Sequence, residues 1–330
     1  MLEVLPLALV LLLVLGAEFV NGWTDAPNAI ATVISTRVLH PYRAVLMAAV
    51  LNIAGALITG TAVAATIGKG IIRPEAIGLP VVAAAMIAII AWSTIAWRFG
   101  LPTSESHALI AGLTGAGLAT AGPSVLLWEG WRKVIIGLGF STLLGFGLAL
   151  VVMLLLYNLL RRAGPSFVRR FFGRLQVLSA AFMAFSHGSN DGQKFMGAFA
   201  LALVLGGVLP NFYIPLWVIL LCGAVMGLGT MLGGWRIIRT MGFQITKLEP
   251  VHGFAAESSA GFAITLASFL GVPVSTTHTI NTAIMGVGAT RRFSAVRWGV
   301  TRRIVLAWLI TFPLCGAIGA LLALVFRLVF

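Results

Sequence analysis

The sequence predicts an all-α polytopic membrane protein composed of two related halves, and three observations support this fold class. Of the 330 residues, 59% are hydrophobic and only 9% are charged, whereas a water-soluble chain carries about a quarter charged residues. Apolar segments near the length of a bilayer core recur along the chain, and we expect roughly 10–12 membrane segments. Polar motifs of the first half also return in the second half in the same order.

Basic residues are concentrated in the short breaks between apolar segments and do not follow one helix face. Five arginines lie in residues 161–174 (RRAGPSFVRRFFGR), and five more lie in residues 291–303. Under the positive-inside rule we expect both breaks to be cytoplasmic and the chain to be a multi-pass protein of a cell inner membrane. The net charge of +13 therefore indicates orientation in the lipid bilayer and predicts no nucleic-acid partner.

The same basic segment divides the chain almost in half. We assign residues 1–160 to a first transmembrane repeat and residues 175–330 to a second transmembrane repeat. Residues 161–174 form the basic cytoplasmic linker between them in this interpretation.

Two polar strings of the first half have counterparts in the second half. Residues 101–107 (LPTSESH) match residues 272–278 (VPVSTTH), and the Gly-x-x-Asp element at residues 22–25 matches that at residues 188–191. From the Asp of this element to the His of the later string there are 82 residues in the first half and 87 in the second. We infer a duplication, which is typical of transporters whose binding site lies at the interface of two repeats, parallel or inverted.

The first polar element, residues 21–28 (NGWTDAPN), interrupts an otherwise apolar run. A charge inside such a run costs about 2.5–3.5 kcal/mol on insertion scales, so Asp25 must face protein, water or a cation. Gly and Pro stand where a membrane helix is able to unwind. We interpret Asn21, Asp25 and Asn28, with unwound backbone carbonyls, as a pocket for a cation or an anion. A capped helix end at the membrane interface is the alternative.

The second polar element, residues 187–194 (HGSNDGQK), places six side chains that hydrogen-bond or ionise in eight positions. Lys194 follows Asp191 by three residues, so on a helix the two side chains pair and neutralise each other. So dense a polar cluster between apolar flanks favours a binding role for Asn190, Asp191 and Lys194. A plain connection between helices is the alternative.

The strings LPTSESH and VPVSTTH each place a Pro before hydroxyl residues and then resume an apolar run, which is typical of a helix start. A helix N-terminus offers free backbone N–H groups and a partial positive charge, and two of them facing one cavity suit a tetrahedral oxyanion. The candidate hydroxyl ligands are Thr103, Ser104, Ser106, Ser275, Thr276 and Thr277. N-caps of ordinary membrane spans are the alternative.

Two further acids, Glu105 and Glu257, lie close to or within apolar runs. A carboxyl group in such surroundings is a candidate proton carrier, and a hydrogen-bonded structural group is the equal alternative. His107 and His278 either close the helix caps that precede them or handle substrate or protons. We expect no cofactor, and the sequence assigns no metal ligands.

The two motif pairs resemble those of the inorganic phosphate transporter (PiT) family, and the resemblance spans nearly the whole chain. In that family each half carries a Gly-x-Asn-Asp-x-x-Asn-Ala type signature, similar to residues 22–29 (GWTDAPNA) and more loosely to residues 188–195 (GSNDGQKF). Each half also carries a Pro-x-Ser-[Ser/Thr]-[Ser/Thr]-His string, similar to residues 102–107 and 273–278.

The resemblance implies an inverted-repeat fold with re-entrant helical hairpins and a symporter that couples phosphate uptake to sodium or protons. Some bacterial members are thought to carry metal–phosphate complexes or sulfate. Carried over residue by residue, together with the positions singled out above, the predicted substrate-binding residues are Asp25, Asn28, Thr103, Ser104, Ser106, Asn190, Asp191, Lys194, Ser275, Thr276 and Thr277. The predicted coupling-ion residues are Asn21, Asp25, Glu105, Asp191 and Glu257.

The chain departs from the family pattern at three places. Thr24 stands where the first signature usually has Asn, Gln193 and Lys194 replace Ala-Asn in the second signature, and Glu105 interrupts the first hydroxyl group. The resemblance to bacterial members with Gln-Lys implies proton coupling, so the driving ion stays open between proton and sodium.

We predict a secondary active transporter that imports inorganic phosphate by alternating access. Because an interior site that holds Asp25 and Asp191 repels an anion, phosphate enters only with cations or protons, and this repulsion is the coupling. A sulfate or other oxyanion permease of the same fold and a passive anion channel are the alternatives. We expect no enzyme, since the sequence contains neither a Gly-x-Ser-x-Gly elbow nor a His-Glu-x-x-His helix. A homodimer stays open.

Overall fold

A computed structural model describes residues 4–329, and α-helices account for most of this part of the chain. The helices of the first half are α1 (Val4–Ser35), α2 (Pro41–Ile58), α3 (Ala62–Gly70), α4 (Leu79–Arg98), α5 (Glu105–Ala121) and α6 (Trp128–Leu160). Those of the second half are α7 (Pro165–Leu205), α8 (Leu216–Thr230), α9 (Trp235–Arg239), α10 (Pro250–Phe269), α11 (Thr276–Ala289) and α12 (Trp298–Val329). A π-helical turn, Thr240–Gln244, continues α9.

The six helices of one half correspond in order to the six of the other, and the two halves run in opposite directions. One end of the molecule, here called the basic face, has a cavity whose lining includes Arg37, Arg161, Arg169, Arg291 and Arg297. Helix α1 ends at this cavity, whereas α7 begins at it. The equivalent helices α1 and α7 therefore cross the protein in opposite senses, which confirms the inverted repeats.

Two helical hairpins, α4–α5 and α10–α11, enter from opposite faces. An isolated β-bridge between Ile72 and Leu126 joins the segments that precede α4 and follow α5. At the basic face Arg291 donates a hydrogen bond of 2.6 Å to Glu249, which joins the end of α11 to the start of α10. With 17 and 14 residues, α5 and α11 rise about 25 and 21 Å, less than the roughly 30 Å of a bilayer core. Both hairpins are therefore re-entrant, as the resemblance implied.

Within residues 4–329, five helices are long and apolar enough to cross a membrane: α1, α2, α4, α6 and α12. The pair formed by α8 and α9 with its π-helical turn makes a sixth if it is one span, bent by 60°. The chain is thus a multi-pass membrane protein. Its predicted 10–12 membrane segments include short re-entrant and broken helices that do not reach this length on their own.

Glycines bring helices of different halves into backbone contact. A Cβ atom on Gly22 of α1 would lie 2.2 Å from the carbonyl oxygen of Met226 in α8. A Cβ on Gly188 of α7 would lie 2.1 Å from the carbonyl oxygen of Asn52 in α2. Small residues allow membrane helices to approach this closely. The Gly-x-x-Asp elements are therefore fixed on two matching helix crossings.

The expected unwinding of α1 at residues 21–28 is wrong, since α1 is one continuous helix with Pro27 inside it. Proline has no N–H to donate, so it leaves the carbonyl oxygen of Trp23 without its usual intrahelical partner. The turn at Gly234 packs against this carbonyl, because a Cβ on Gly234 would lie 2.7 Å from its oxygen. Packing by this turn covers the helix where unwinding was expected.

The second polar element also lies inside a helix. Residues 187–194 are in the middle of α7, so they do not form a connection between helices. Helix α7 begins at Pro165, after the extended N-cap residue Gly164, and proline is well suited to the first helical position. Residues 165–174, predicted as part of a linker, therefore form the first turns of α7.

Candidate functional site

A stripe of polar side chains runs along one face of α1. Glu18, Asn21, Asp25, Asn28 and Thr32 follow one another at intervals of three or four residues, which places them on the same side of a helix. All five are at most 3% exposed. Buried polar groups inside a membrane protein need protein partners, so this stripe marks the interior along which a site is built.

The region where α1, α5, α7 and α11 meet is here called the centre. Asp191 is the carboxylate with the most hydrogen-bond and charge partners in it. The ammonium group of Lys194 donates to its Oδ1 atom, and the hydroxyl of Thr276 donates to its Oδ2 atom over 2.9 Å. The Nε2 atom of His187 lies 3.3 Å from the same Oδ2 atom. Asp191 and Lys194 thus form the pair that their three-residue interval predicted. The start of α11, which lies near the other end of the second half, also contacts Asp191 through Thr276.

A chain of hydrogen bonds sets the orientation of the His187 ring. The side-chain amide of Asn52 donates to the hydroxyl of Thr230 over 3.1 Å, and this hydroxyl donates to the carbonyl oxygen of Met226 over 2.9 Å. The remaining amide oxygen of Asn52 accepts from Nδ1 of His187 at 3.1 Å. Nδ1 then carries a hydrogen, and Nε2 is turned towards Asp191 at 3.3 Å.

The hairpins place two helix starts next to each other. At the start of α5 the hydroxyl of Ser104 accepts a hydrogen bond from the backbone N–H of His107, and at α11 Ser275 accepts from the N–H of His278. These N-caps confirm the predicted helix starts. The imidazole rings of the two histidines have centroids 4.6 Å apart. The positive ends of two helix dipoles therefore point towards one region, where the first amides of each helix have no intrahelical acceptor.

Hydroxyl groups of the hairpin tips contact the polar faces of α1 and α7. Asn28 donates to the hydroxyl of Thr277 over 2.9 Å, and this hydroxyl lies 3.3 Å from Oδ1 of Asp25. In the same manner Lys194 donates to the hydroxyl of Ser106. The centre is therefore built from four elements, α1 and α5 of one half with α7 and α11 of the other.

The structure brings most of the predicted substrate residues together and gives the others supporting positions. Asn190 holds the tip of the α10–α11 hairpin, since its Oδ1 atom accepts from the backbone N–H of Val274 over 3.3 Å and its amide donates to Ser268 over 3.0 Å. Thr103 is buried at the tip before α5. The residues that meet at the centre are Asp25, Asn28, Ser106, Asp191, Lys194, Thr276 and Thr277.

The predicted coupling acids Glu105 and Glu257 lie in two separate clusters beside α1. Glu105 accepts hydrogen bonds from Thr24, the neighbour of Asp25, and from Ser93, so it adjoins the centre. Glu257 accepts instead from Thr32, Gln176 and Ser179, further along α1 towards the basic face. The side-chain amide of Asn21 donates a hydrogen bond of 3.1 Å to Glu18, one turn earlier on α1.

Sequence analysis missed Glu18 and gave His187 no role, although both carried a signal. Glu18 is an acid on the three-four spacing that ends at Asp25, and His187 stands one helical turn before Asp191. One ligand atom each from Asp25, His187 and Asp191 lie within 4.8 Å of one another. Two carboxylates and an imidazole at this separation are suited to hold one cation or to share a proton.

Comparison with known proteins agrees with this geometry. The profile of the phosphate transporter family (PHO4) matches residues 21–167 and 161–319. A probable low-affinity inorganic phosphate transporter of Rhizobium meliloti (strain 1021) is 48% identical over 305 residues, which cover 92% of this chain and 91% of that protein. A protein of the same description from Bacillus subtilis (strain 168) is 39% identical over 325 residues, covering 98% and 97%.

A solved structure described as the sodium-dependent phosphate transporter has the same fold. It superposes with a TM-score of 0.88 at 26% identity and covers 98% of this chain and 100% of its own. The agreement extends over both inverted halves and both re-entrant hairpins. With its two buried Asp elements and its two capped helix starts, the chain belongs to the phosphate transporter family.

Proposed function

We propose that the protein imports inorganic phosphate together with a cation, as a secondary active transporter. The observation that carries this proposal is the meeting of two buried carboxylates, Asp25 and Asp191, one from each inverted half, at the start of α11, with the start of α5 beside it. The relatives described as inorganic phosphate transporters and the sodium-dependent structural neighbour support it.

Phosphate binds between the starts of α5 and α11 in this proposal. The first backbone amides of each helix are the donors that an oxyanion requires, and the two helix dipoles favour negative charge there. The hydroxyls of Ser106, Thr276 and Thr277 lie beside these amides, and in this conformation they donate to Val274, Asp191 and Asp25. Asn28 orients the tip through its contacts with Thr276 and Thr277. A tetrahedral anion then bridges the two halves.

The cation binds at Asp25, His187 and Asp191, whose ligand atoms lie within 4.8 Å of one another. Without it, the carboxylate of Asp25, which forms no ion pair within residues 4–329, repels phosphate from the adjoining helix starts. With it, the local charge falls and phosphate binding becomes favourable, so the two ligands load together. A sodium ion is the first candidate because of the structural neighbour. A proton is the second, because Nε2 of His187 lies 3.3 Å from Oδ2 of Asp191 and the two groups are able to share one.

Phosphate leaves through the basic face, which we place in the cytoplasm by the positive-inside rule of an inner membrane. The cavity there has a volume of about 990 Å³ and is lined by arginines and Lys247. Between this cavity and the centre lies a closed network. Thr36 lines the cavity and donates to Gln176 over 2.8 Å, and Gln176 donates to Glu257 over 3.1 Å. Opening this network while the other face closes gives alternating access.

Uptake of radiolabelled phosphate into proteoliposomes tests the proposal, with sodium and pH gradients imposed separately and sulfate as competitor. We expect accumulation only with one of the two gradients and little competition by sulfate. Equal flux without any gradient would indicate a passive channel, and strong inhibition by sulfate would indicate a general oxyanion permease. Recovery of unmodified phosphate inside the vesicles checks that the protein acts as a carrier and not as an enzyme.

A further inference from the structure

The two inverted halves place different side chains at one equivalent position of the centre. Asn28 follows Asp25 by three residues in α1, and Lys194 follows Asp191 by three residues in α7. Each of the two side chains contacts the hydroxyl of a hairpin tip, Thr277 for Asn28 and its equivalent Ser106 for Lys194. The geometry is shared, but one position holds a neutral amide and the other holds a cation.

The ammonium group of Lys194 is enclosed and fully partnered. The residue is 0% exposed, and its Nζ atom donates to Oδ1 of Asp191, to the hydroxyl of Ser106 and to the carbonyl oxygen of Val274. An ammonium group has three N–H donors. Because all three are used inside the protein, none is left in this conformation to donate to phosphate.

These three ligands are a carboxylate, a hydroxyl and a backbone carbonyl oxygen. Transporters use oxygen groups of this kind to coordinate a driving sodium ion or proton at a midplane site. The ammonium of Lys194 thus lies where a mobile cation would find its ligands in the second half. Asp25 differs, since within residues 4–329 it forms no ion pair.

We propose that Lys194 is a tethered cation that permanently fills the cation position of the second half. The protein then loads one exchangeable cation, at the Asp25 side of the centre, for each phosphate. This inference rests on the proposed cation-coupled transport. It assigns Lys194 to the coupling stoichiometry, whereas the prediction from the sequence placed it among the substrate-binding residues.

The substitution Lys194→Asn tests the inference, because it gives α7 the residue that α1 has at the equivalent position. Uptake into proteoliposomes is measured as a function of the driving cation at saturating phosphate. We expect the Hill coefficient for that cation to rise from near one towards two. We also expect the half-saturating cation concentration to rise about 10-fold, since a second cation must now bind at Asp191.

The double variant Asp191→Asn/Lys194→Asn provides the critical comparison. With the second carboxylate removed as well, no second cation is required, and the Hill coefficient should return to near one. If the role of Lys194 were purely structural, Lys194→Asn would lower the amount of active protein. The Hill coefficient would then neither rise in the single variant nor return to near one in the double variant. The exposed Lys133, changed to Asn, is the matched control for loss of one positive charge.

A second measurement covers the case in which uptake by Lys194→Asn is too weak to analyse. The thermal unfolding midpoint of the purified variant in detergent should rise with the driving cation more steeply than that of the original protein, and Lys194→Gln should behave alike. An unchanged Hill coefficient or an unchanged cation dependence of unfolding would overturn the inference. If the original protein accumulates no phosphate under any gradient, the proposed function fails instead, which is a distinct outcome.

Discussion

The two Asp elements occupy equivalent places in inverted helices, yet their electrostatic surroundings differ. Asp191 contacts the ammonium of Lys194 and lies beside the imidazole of His187. Asp25 accepts hydrogen bonds from the hydroxyl of Thr277 and forms no ion pair within residues 4–329. Duplication thus fixed the geometry of both halves, while a few substitutions paired the carboxylate of one half with a lysine and left the carboxylate of the other half without an ion pair in the described part of the chain.

The largest effect should follow from removing the carboxylate that has no fixed partner. We expect Asp25→Asn to abolish coupled phosphate uptake, because truncating a buried charge contact costs about 2–5 kcal/mol, which corresponds to roughly 30- to 5,000-fold. Radiolabelled uptake into proteoliposomes measures it, with the exposed Glu129→Gln as control. Accumulation like that of the original protein would refute the role of Asp25.

The same substitution in the other half should act mainly on stability. Asp191→Asn leaves the buried ammonium of Lys194 without its counter-charge, and breaking a buried ion pair in this way costs about 3–5 kcal/mol. We expect a clearly lower unfolding midpoint in detergent for Asp191→Asn than for Asp25→Asn. Equal midpoints for the two variants would show that the halves are not electrostatically different.

A smaller effect should separate the two hairpin tips. Thr277→Val removes a hydroxyl that joins Asn28 to Asp25, and a hydrogen bond to a charged group contributes about 1.5–3 kcal/mol. We expect the apparent KM for phosphate to rise roughly 10- to 150-fold. For Ser106→Ala we expect a smaller rise, since Lys194 keeps two other acceptors. Initial uptake rates over a range of phosphate concentrations decide the order, and a larger rise for Ser106→Ala would reverse it.

The smallest effect should be the same in both halves. Thr66 donates to the carbonyl oxygen of Gly271 over 2.8 Å, and Thr240 donates to that of Gly100 over 2.7 Å, so each fastens one hairpin turn. Each neutral hydrogen bond contributes about 1 kcal/mol. We expect Thr66→Val and Thr240→Val each to change the uptake rate only about fivefold. Widely different effects would show that the hairpins open by different means.

Much of the fold was predictable because its causes are local. Composition and apolar segment length gave the membrane class, and the repeated strings gave the duplication. The hydroxyl groups after Pro102 and Pro273 gave the helix starts, which the caps at Ser104 and Ser275 confirm. The continuity of α1 was not predictable, since it depends on a turn around Gly234, more than two hundred residues away along the chain.

The partners within the site were less accessible from the sequence. Thr276 contacts Asp191 across 85 residues of sequence, and Thr277 contacts Asp25 across 252. No local pattern indicates which hydroxyl faces which carboxylate. The sequence also did not show that Glu257 lies apart from the centre whereas Glu105 adjoins it. Both acids are found in apolar runs, so no local pattern distinguishes them. By contrast, the three-four spacing that begins at Glu18 was visible and would have predicted the whole polar face of α1.

The glycine contacts at Gly22 and Gly188 have a consequence for how the sequence is able to vary. Each stands three residues before its carboxylate and leaves no room for a single added carbon against a neighbouring backbone. An alanine at either position would push the helix away and carry the carboxylate with it, out of reach of the hydroxyl tips. The shape of the backbone therefore limits which residue fits at these two positions, although neither glycine is among the residues that meet at the centre.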